Sequence, residues 1–179
     1  SRSMPDYYFE HKVNQAQGLG NALRVVKETG KEFGDRFGRY YGFFESYRVE
    51  DAEHAVVIMS SAAGTVKDAV DELRNEGEKV GLLKLRVFRP FPHKEIRDAL
   101  AKVQNVAVLE RTFSPGSPGG PLYHEIRSTL YDSPARPLVH PYVYGLGGRD
   151  IAAGHVKNVF RELKENAEKE TEQEKPLTF

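Results

Sequence analysis

The stretch "HAVVIMSSAAGTVKDAVDELRNEGEKVGLLKLRVF", residues 54–88, decides the fold class. It begins with an uninterrupted apolar run at 56–59, which is typical of a strand covered on both faces of a parallel sheet. A helical pattern follows, with Thr65 and Asp68 spaced as a capping box and Gly77 as its end. A second strand is predicted over 79–88 and must finish at "RPFP" (89–92), because proline cannot donate to a sheet ladder. This order predicts a parallel βαβ unit.

The same alternation continues toward the carboxyl terminus. The sequence predicts a helix at 93–103, a strand at 105–111, a helix at 120–132, a strand at 138–145 and a helix at 151–167. Repeated strand–helix units favour an α/β fold whose open, mostly parallel sheet carries helices on both faces. We assign this domain to residues 52–160.

The flanking zones differ from the sheet domain in composition. We interpret residues 1–4 as an expression scar and 5–51 as a helix at about 13–37 with an aromatic-rich connector that crosses to the first strand. Gly34, Gly38 and Gly42 argue against one unbroken helix through the connector. Its aromatic residues are expected to fold back over the sheet or to meet a missing part of the protein. Residues 161–179 are predicted to extend the last helix and to end as a charged, solvated tail.

Composition excludes several classes of function. The 179 residues carry 26 Lys and Arg against 26 Asp and Glu, so there is no positive excess to neutralise nucleic-acid phosphates. Cysteine is absent, which excludes disulfides, thiolate catalysis and cysteine-ligated zinc or iron–sulfur clusters within this chain. The uncharged run at 55–66 is too short to span a bilayer. These features predict a cytoplasmic protein that acts on neither nucleic acid nor membrane.

Functional groups of a parallel sheet gather where strands end and helices begin. The bend "TFSPGSPGGP" (112–121) lacks the lysine of a P-loop, and Pro121 removes an amide that an anion would need. In "GLGGRD" (145–150), Asp150 occupies the third glycine position of a dinucleotide fingerprint and is interpreted as a helix cap. "SSAAGT" (60–65) offers an unspecific anion site at a helix start.

Catalytic patterns are equally incomplete. "HEIRS" (124–128) has Ser128 where a zincin helix requires its second histidine, and Ser117 precedes Pro118, so no nucleophile elbow exists. Glu110 beside Arg111 is either a catalytic carboxylate with a cation or a structural ion pair, and we favour the ion pair. The sequence therefore shows no catalyst.

Three segments, taken together, indicate one protein family, although each alone is a weak signal. "SSAAGTVKDAVDELRNEGEKVGLLKLRVFRPFP", "LERTFSPGSPGGPLYHEI" and "YGLGGRDI" resemble, in order and spacing, the carboxyl-terminal half of the alpha subunit of 2-oxoacid:ferredoxin oxidoreductases, with pyruvate:ferredoxin oxidoreductase as the best-known member. The resemblance covers about residues 7–160. It implies a fold like the carboxyl-terminal domain of transketolase.

The resemblance also implies a context. In the whole assembly a 2-oxoacid is oxidatively decarboxylated on thiamine diphosphate with magnesium, electrons pass through iron–sulfur clusters to ferredoxin, and the acyl group goes to coenzyme A. In the family these cofactors belong to other domains or subunits, so none is expected here. The expected partners are the amino-terminal half of the same subunit and the beta-, gamma- and delta-type subunits. The chain alone is predicted to be inactive.

This context suggests a role for the strand-end loops. We hypothesise that the loops pack against a neighbouring domain or subunit, since glycine permits close approach and proline keeps a loop stiff. The candidate interface residues are Thr65, Arg89, Phe91, Ser114, Gly116, Gly119, Gly120, Arg149 and Asp150. Three alternatives stay open: a self-contained turn at 112–121, an independent flavodoxin-like binder of a small anion or nucleotide, and a transketolase-type subunit of another thiamine enzyme.

Overall fold

The computed structural model describes residues 5–169 and 177–178. Its helices are α1 (Pro5–Phe37), α2 (Ala63–Asn75), α3 (His93–Ala99), α4 (Pro121–Tyr131) and α5 (Ala153–Lys169). Its strands are β1 (Phe44–Tyr47), β2 (His54–Met59), β3 (Val80–Leu85), β4 (Asn105–Glu110), β5 (Leu138–Val143) and β6 (Leu177–Thr178). The predicted scar at 1–4 and residues 170–176 and 179 of the predicted tail lie outside the described residues.

One sheet with the order β1-β3-β2-β4-β5-β6 contains all these strands. The pairs β2–β3, β2–β4, β4–β5 and β5–β6 are parallel, whereas β1 pairs with β3 antiparallel. The predicted mostly parallel α/β sheet is therefore confirmed. Because β3 lies on one side of β2 and β4 on the other, the order reverses between β2 and β4, which is where such folds bind ligands.

Both faces of the sheet are covered by helices. Alternate side chains of the four central strands, including Val56, Leu82, Leu109 and Tyr142, form a core with α2 and α5. The other face is covered by α3 and α4, whose buried residues include Ile96, Leu122, Ile126 and Leu130. The strands β2 and β4 are buried almost throughout, as the continuous apolar runs predict.

Two helix starts differ from prediction. Thr65 does not cap α2: the helix begins at Ala63, because the carbonyls of Ser60 and Ser61 accept from the amides of Ala63 and Gly64 and start the first turn earlier. Asp150 does not cap α5 either. That helix begins at Ala153, and the amide of Ala152 donates instead to Nδ1 of His155, at 3.2 Å. The predicted end of α2 agrees with the structure, since Gly77, with a φ of 91°, follows the helix as expected.

The chain divides into two compact units, one formed by the residues up to Phe43 with Val87–Pro92 and the other by Phe44–Arg86 with the chain from His93 onward. In the first unit α1 begins at Pro5, earlier than the predicted residue 13, and ends at the predicted Phe37. A Cβ on Gly34 would overlap the ring of Tyr40, so this glycine permits the return segment to lie against the helix. The domain boundary predicted between residues 51 and 52 stays a prediction.

Candidate functional site

A cleft of about 470 Å³ lies at the carboxyl ends of β2, β4 and β5. We call it the carboxyl-edge cleft. Its walls include Ser60, Ser61, Thr65, Arg111, Arg149 and Asp150, and Glu110 and Tyr144 also line it. This is the position at which the strand order reverses, and the volume suits a small ligand.

The segment that follows β2 forms one wall of the cleft. Ser60 has a φ of 71°, a left-handed backbone that is uncommon for a residue other than glycine and that is enriched at functional sites. Ala62 occupies the N-cap position of α2 and supplies no side-chain hydrogen bond to the helix start. The positive end of this helix therefore borders the cleft without a capping side chain.

Glu110, at the end of β4, is committed to the start of α4. Its carboxylate accepts from the backbone amides of Leu122 at 2.7 Å and Tyr123 at 2.9 Å, and the residue is only 8% exposed. Burial raises the pKa of this carboxyl, and the two amide hydrogen bonds act in the opposite direction. The favoured ion pair with Arg111 is not what the structure shows, since Glu110 caps a helix.

Arg111 points to a different partner. Its Nε donates to the carbonyl of Gly145 at 3.0 Å, which ties the end of β4 to the turn after β5. Arg149, in the loop before α5, is exposed and makes no ion pair or side-chain hydrogen bond with any residue in the described part of the chain. Two guanidinium groups thus border one cleft.

Tyr144 contributes a hydroxyl to the same cleft. The residue is 6% exposed, and within the described residues its hydroxyl has no hydrogen-bond partner. Burial raises the pKa of Tyr144, while the charge of Arg111 acts to lower it. The hydroxyl therefore stays protonated and can donate.

The bend after β4 owes its glycines to contacts inside the domain. A Cβ on Gly120 would lie 2.6 Å from Oε2 of Glu110, and one on Gly119 would overlap the ring of Tyr123. Pro121 occupies the first turn of α4, as the sequence predicts. Both glycines are buried. They are needed for the contact between Glu110 and the start of α4, independently of any partner of the bend.

The remaining residues of the bend lie at its surface. Gly116 is exposed with a φ of 79°, and Ser114 is half-buried. Ser117 contacts His124, with 2.7 Å between Oγ and Nε2, and its Oγ also donates to the carbonyl of Gly119. These contacts hold the bend against α4.

The structure brings some predicted interface residues together and separates others. Thr65, Arg149 and Asp150 line one cleft, whereas Ser114 and Gly116 lie on the bend beside it. Arg89 and Phe91 belong to the other compact unit, where Arg89 lies over the ring of Phe88 at 4.2 Å. That these two share a surface with the loops stays a prediction.

Sequence reasoning missed Arg111 and Tyr144 as cleft residues. Their position directly after a buried strand was the available signal, because every side chain at that point lies near the carboxyl edge of the sheet. No sequence pattern indicates that Glu110 accepts from amides at the start of α4. That contact depends on the path of the bend.

Cofactor sites can be tested against the residues present. Cysteine is absent from the sequence, so thiolates cannot hold an iron–sulfur cluster on this chain. Across 5–169 and 177–178, no group of three histidine or acidic side chains has the arrangement needed for a metal ion. No helix in that part of the chain is long and apolar enough to cross a membrane. The described residues thus include no metal-binding group of histidine or acidic side chains.

Comparisons with known proteins agree on one family. The sequence matches pyruvate:ferredoxin oxidoreductase core domain II over residues 52–156. It is 48% identical to pyruvate synthase subunit PorA of Thermotoga maritima, over 88% of this chain and 40% of that protein. It is 43% identical to ketoisovalerate oxidoreductase subunit VorA of Pyrococcus horikoshii, over 92% of this chain and 42% of that protein. The chain therefore spans less than half the length of these relatives.

Solved structures carry the same fold. A 2-oxoglutarate:ferredoxin oxidoreductase from Magnetococcus marinus, solved with 2-oxoglutarate, coenzyme A and succinyl-CoA bound, superposes with a TM-score of 0.56 and 26% identity. The match covers 73% of this chain and 21% of that one. An inactive split-gene transketolase tetramer gives a TM-score of 0.52 at 13% identity, covering 70% of this chain and 42% of that one. The second likeness concerns the fold alone and confirms the transketolase-like architecture.

Proposed function

The chain belongs to the pyruvate:ferredoxin oxidoreductase core domain II family, and from this we propose that it is an interaction domain of the alpha subunit of a 2-oxoacid:ferredoxin oxidoreductase. In the whole enzyme it supports oxidative decarboxylation of a 2-oxoacid to an acyl-CoA. By itself it is inactive. The family match favours this proposal over a subunit of another thiamine enzyme, whose likeness here extends to the fold alone.

One observation carries the proposal of inactivity. Glu110 is the most buried carboxylate of the carboxyl-edge cleft, and both its oxygens accept from backbone amides of α4. A carboxylate held in this way caps a helix and is poorly placed to take a proton from a substrate. Thiamine diphosphate, magnesium, iron–sulfur clusters and coenzyme A are accordingly proposed to bind to other domains or subunits.

We further propose that the bend at 112–118 contacts a neighbouring domain or subunit. Phe113 is 49% exposed, and the bend that carries it is fixed by the contact between Ser117 and His124. A large apolar side chain on a stiff loop loses little conformational freedom when it is buried by a partner. The amino-terminal half of the same subunit and the beta-, gamma- and delta-type subunits are the candidate partners, with ferredoxin reached through the assembly.

Assembly of the whole enzyme tests this interface. Ser114→Arg places a long charged side chain on the bend, and Ser128→Arg, on the exposed surface of α4, is the matched control. We expect Ser114→Arg to lower the yield of assembled enzyme at least about tenfold, since an unpaired charge would have to be buried. The Tm of the isolated domain should stay the same in both variants. Normal assembly of both variants would refute the role of the bend.

A further inference from the structure

The carboxyl-edge cleft has features that its role in a subunit interface does not explain. We propose that it binds the oxyanion group, a carboxylate or a phosphate, of a small ligand. The group would be held by Arg149 and Arg111, by the hydroxyl of Tyr144 and by the start of α2. This inference is independent of the interface on the bend.

The charges that line the cleft are available to a ligand. Arg149 has no ion-pair partner among the described residues. Arg111 uses Nε on the carbonyl of Gly145, and its terminal nitrogens make no hydrogen bond with a residue of the described chain. Guanidinium groups bind carboxylates and phosphates through paired hydrogen bonds, so two of them at one cleft suit an oxyanion.

The hydroxyl of Tyr144 adds a further hydrogen-bond donor to the cleft. The residue is more than nine-tenths buried and lines the cleft, yet its hydroxyl has no partner in the part of the chain that the structure describes. The hydroxyl is not among the fully enclosed side-chain atoms that lack a partner, so it is open to the cleft. A ligand oxygen in the cleft would supply a partner.

The start of α2 adds a third source of positive potential. The helix has 13 residues, and its N-cap residue Ala62 provides no side-chain hydrogen bond. Ser61 and Thr65, which line the cleft beside this helix start, add two hydroxyl groups. Backbone amides at a helix start favour negative charge, as do the two arginines that line the same cleft.

Two carboxylates also line the cleft, and their negative charge weakens the binding of an anion there. Glu110 is engaged with the amides of Leu122 and Tyr123. Asp150 is exposed at the rim, directly after Arg149 in sequence. Arg149 and Asp150 should therefore affect binding with opposite signs, a pattern that a merely structural role of this loop would not produce.

Titration calorimetry on the 179-residue chain at low ionic strength tests the proposal, with inorganic phosphate and acetate as the two probes. We expect at least one probe to bind saturably. Arg149→Gln should weaken binding about tenfold or more, because a hydrogen bond to a charged group is lost. Tyr144→Phe should weaken it about threefold to tenfold, and Asp150→Asn should strengthen it. Arg161→Gln, which makes the same change of charge on α5 away from the cleft, should leave binding unchanged.

The outcomes separate the ligand classes and the alternatives. Tighter binding of phosphate supports a phosphorylated ligand, and tighter binding of acetate supports a carboxylate. The proposal is overturned if neither probe binds saturably, or if Arg149→Gln and Arg161→Gln weaken binding equally. Circular dichroism of each variant shows that the fold is intact. Subunit assembly does not enter this measurement, so its result is distinguishable from failure of the interface.

Discussion

The two ends of the parallel strands differ in how their charges are paired. At the amino ends of β2 and β3 lies a pocket of about 320 Å³, the amino-edge pocket, which includes His54 and two lysines of α5. There Lys157 pairs with Glu72 and Glu76, and Lys164 pairs with Glu78 at 2.9 Å. At the carboxyl-edge cleft, Arg149 has no such pairing among the described residues.

This difference shows which edge of the domain is available to bind something. Lysines that are paired with neighbouring glutamates connect α5 to α2 and to the turn that follows it. The guanidinium of Arg149 and the hydroxyl of Tyr144 have no partner among the described residues, so both are available to a partner or ligand. We therefore interpret the amino edge as structural and propose that the carboxyl edge binds a ligand or partner.

The largest effect on stability is expected at Gly120. In Gly120→Ala, the new methyl group would lie 2.6 Å from a carboxylate oxygen of Glu110 and displace the cap of α4. Loss of two buried hydrogen bonds together with the displaced packing should lower the free energy of unfolding by about 2–4 kcal/mol. Urea denaturation measures this change.

A matched control and a double variant isolate the cause. Gly154→Ala should have little effect or stabilise the domain slightly, since nothing lies within 4 Å of the added atom. In a Glu110→Ala background, the Gly120→Ala change should lose most of its effect, because the carboxylate that it meets is gone. Equal effects of Gly120→Ala in both backgrounds would show that Glu110 is not the reason for the glycine.

The comparison also shows what could be predicted from sequence. The buried strands, their parallel order and the gathering of loops at one edge follow from uninterrupted apolar runs such as 56–59 and from helical spacing between them. The same reasoning singled out Thr65, Arg149 and Asp150 as interface residues, and the structure brings these three to one cleft; their role in an interface stays a prediction. Periodicity within short segments is enough for these features.

Other features depend on contacts that periodicity does not encode. The strand β1, "FESY", is short and half-exposed and has no apolar run, and its antiparallel pairing with β3 is set by the path of the chain. The cap on α4 connects Glu110 to two amides that follow it by 12 and 13 positions, across a bend. The start of α5 depends on His155, a residue seldom considered as a cap partner.

The second prediction concerns pH and the amino-edge pocket. Burial lowers the pKa of the His54 imidazole below its ordinary value of 6.5, with Lys164 acting in the same direction and Glu53 and Glu78 against it. The unfolded chain therefore takes up the proton first as pH falls, and stability should decrease from pH 6.5 down to the lowered pKa. His54→Gln should lose this part of the pH dependence.

Urea denaturation between about pH 7 and pH 5 measures the effect. His11→Gln, on the exposed surface of α1, is the control and should keep the wild-type pH dependence. If His54→Gln follows the wild-type pH profile, the buried imidazole does not contribute to the decrease.

The smallest effects sharpen the contrast between the two edges. Lys164→Gln removes an exposed ion pair with Glu78 and should lower the free energy of unfolding by about 0.5 kcal/mol or less. Arg149→Gln should leave it unchanged or raise it slightly, because no described partner is lost. Chemical denaturation of both variants at low and high salt gives the comparison. A larger loss of stability in Arg149→Gln than in Lys164→Gln would contradict the assignment of the two edges.

The most direct test of the central claim is a turnover assay on the purified chain. It is incubated with pyruvate, thiamine diphosphate, magnesium, coenzyme A and ferredoxin, with and without the remaining part of the alpha subunit and its partner subunits. We predict that the chain alone neither decarboxylates the 2-oxoacid nor reduces the acceptor, and that the assembled enzyme does both. Turnover by the chain alone would contradict the proposal that it is a non-catalytic interaction domain.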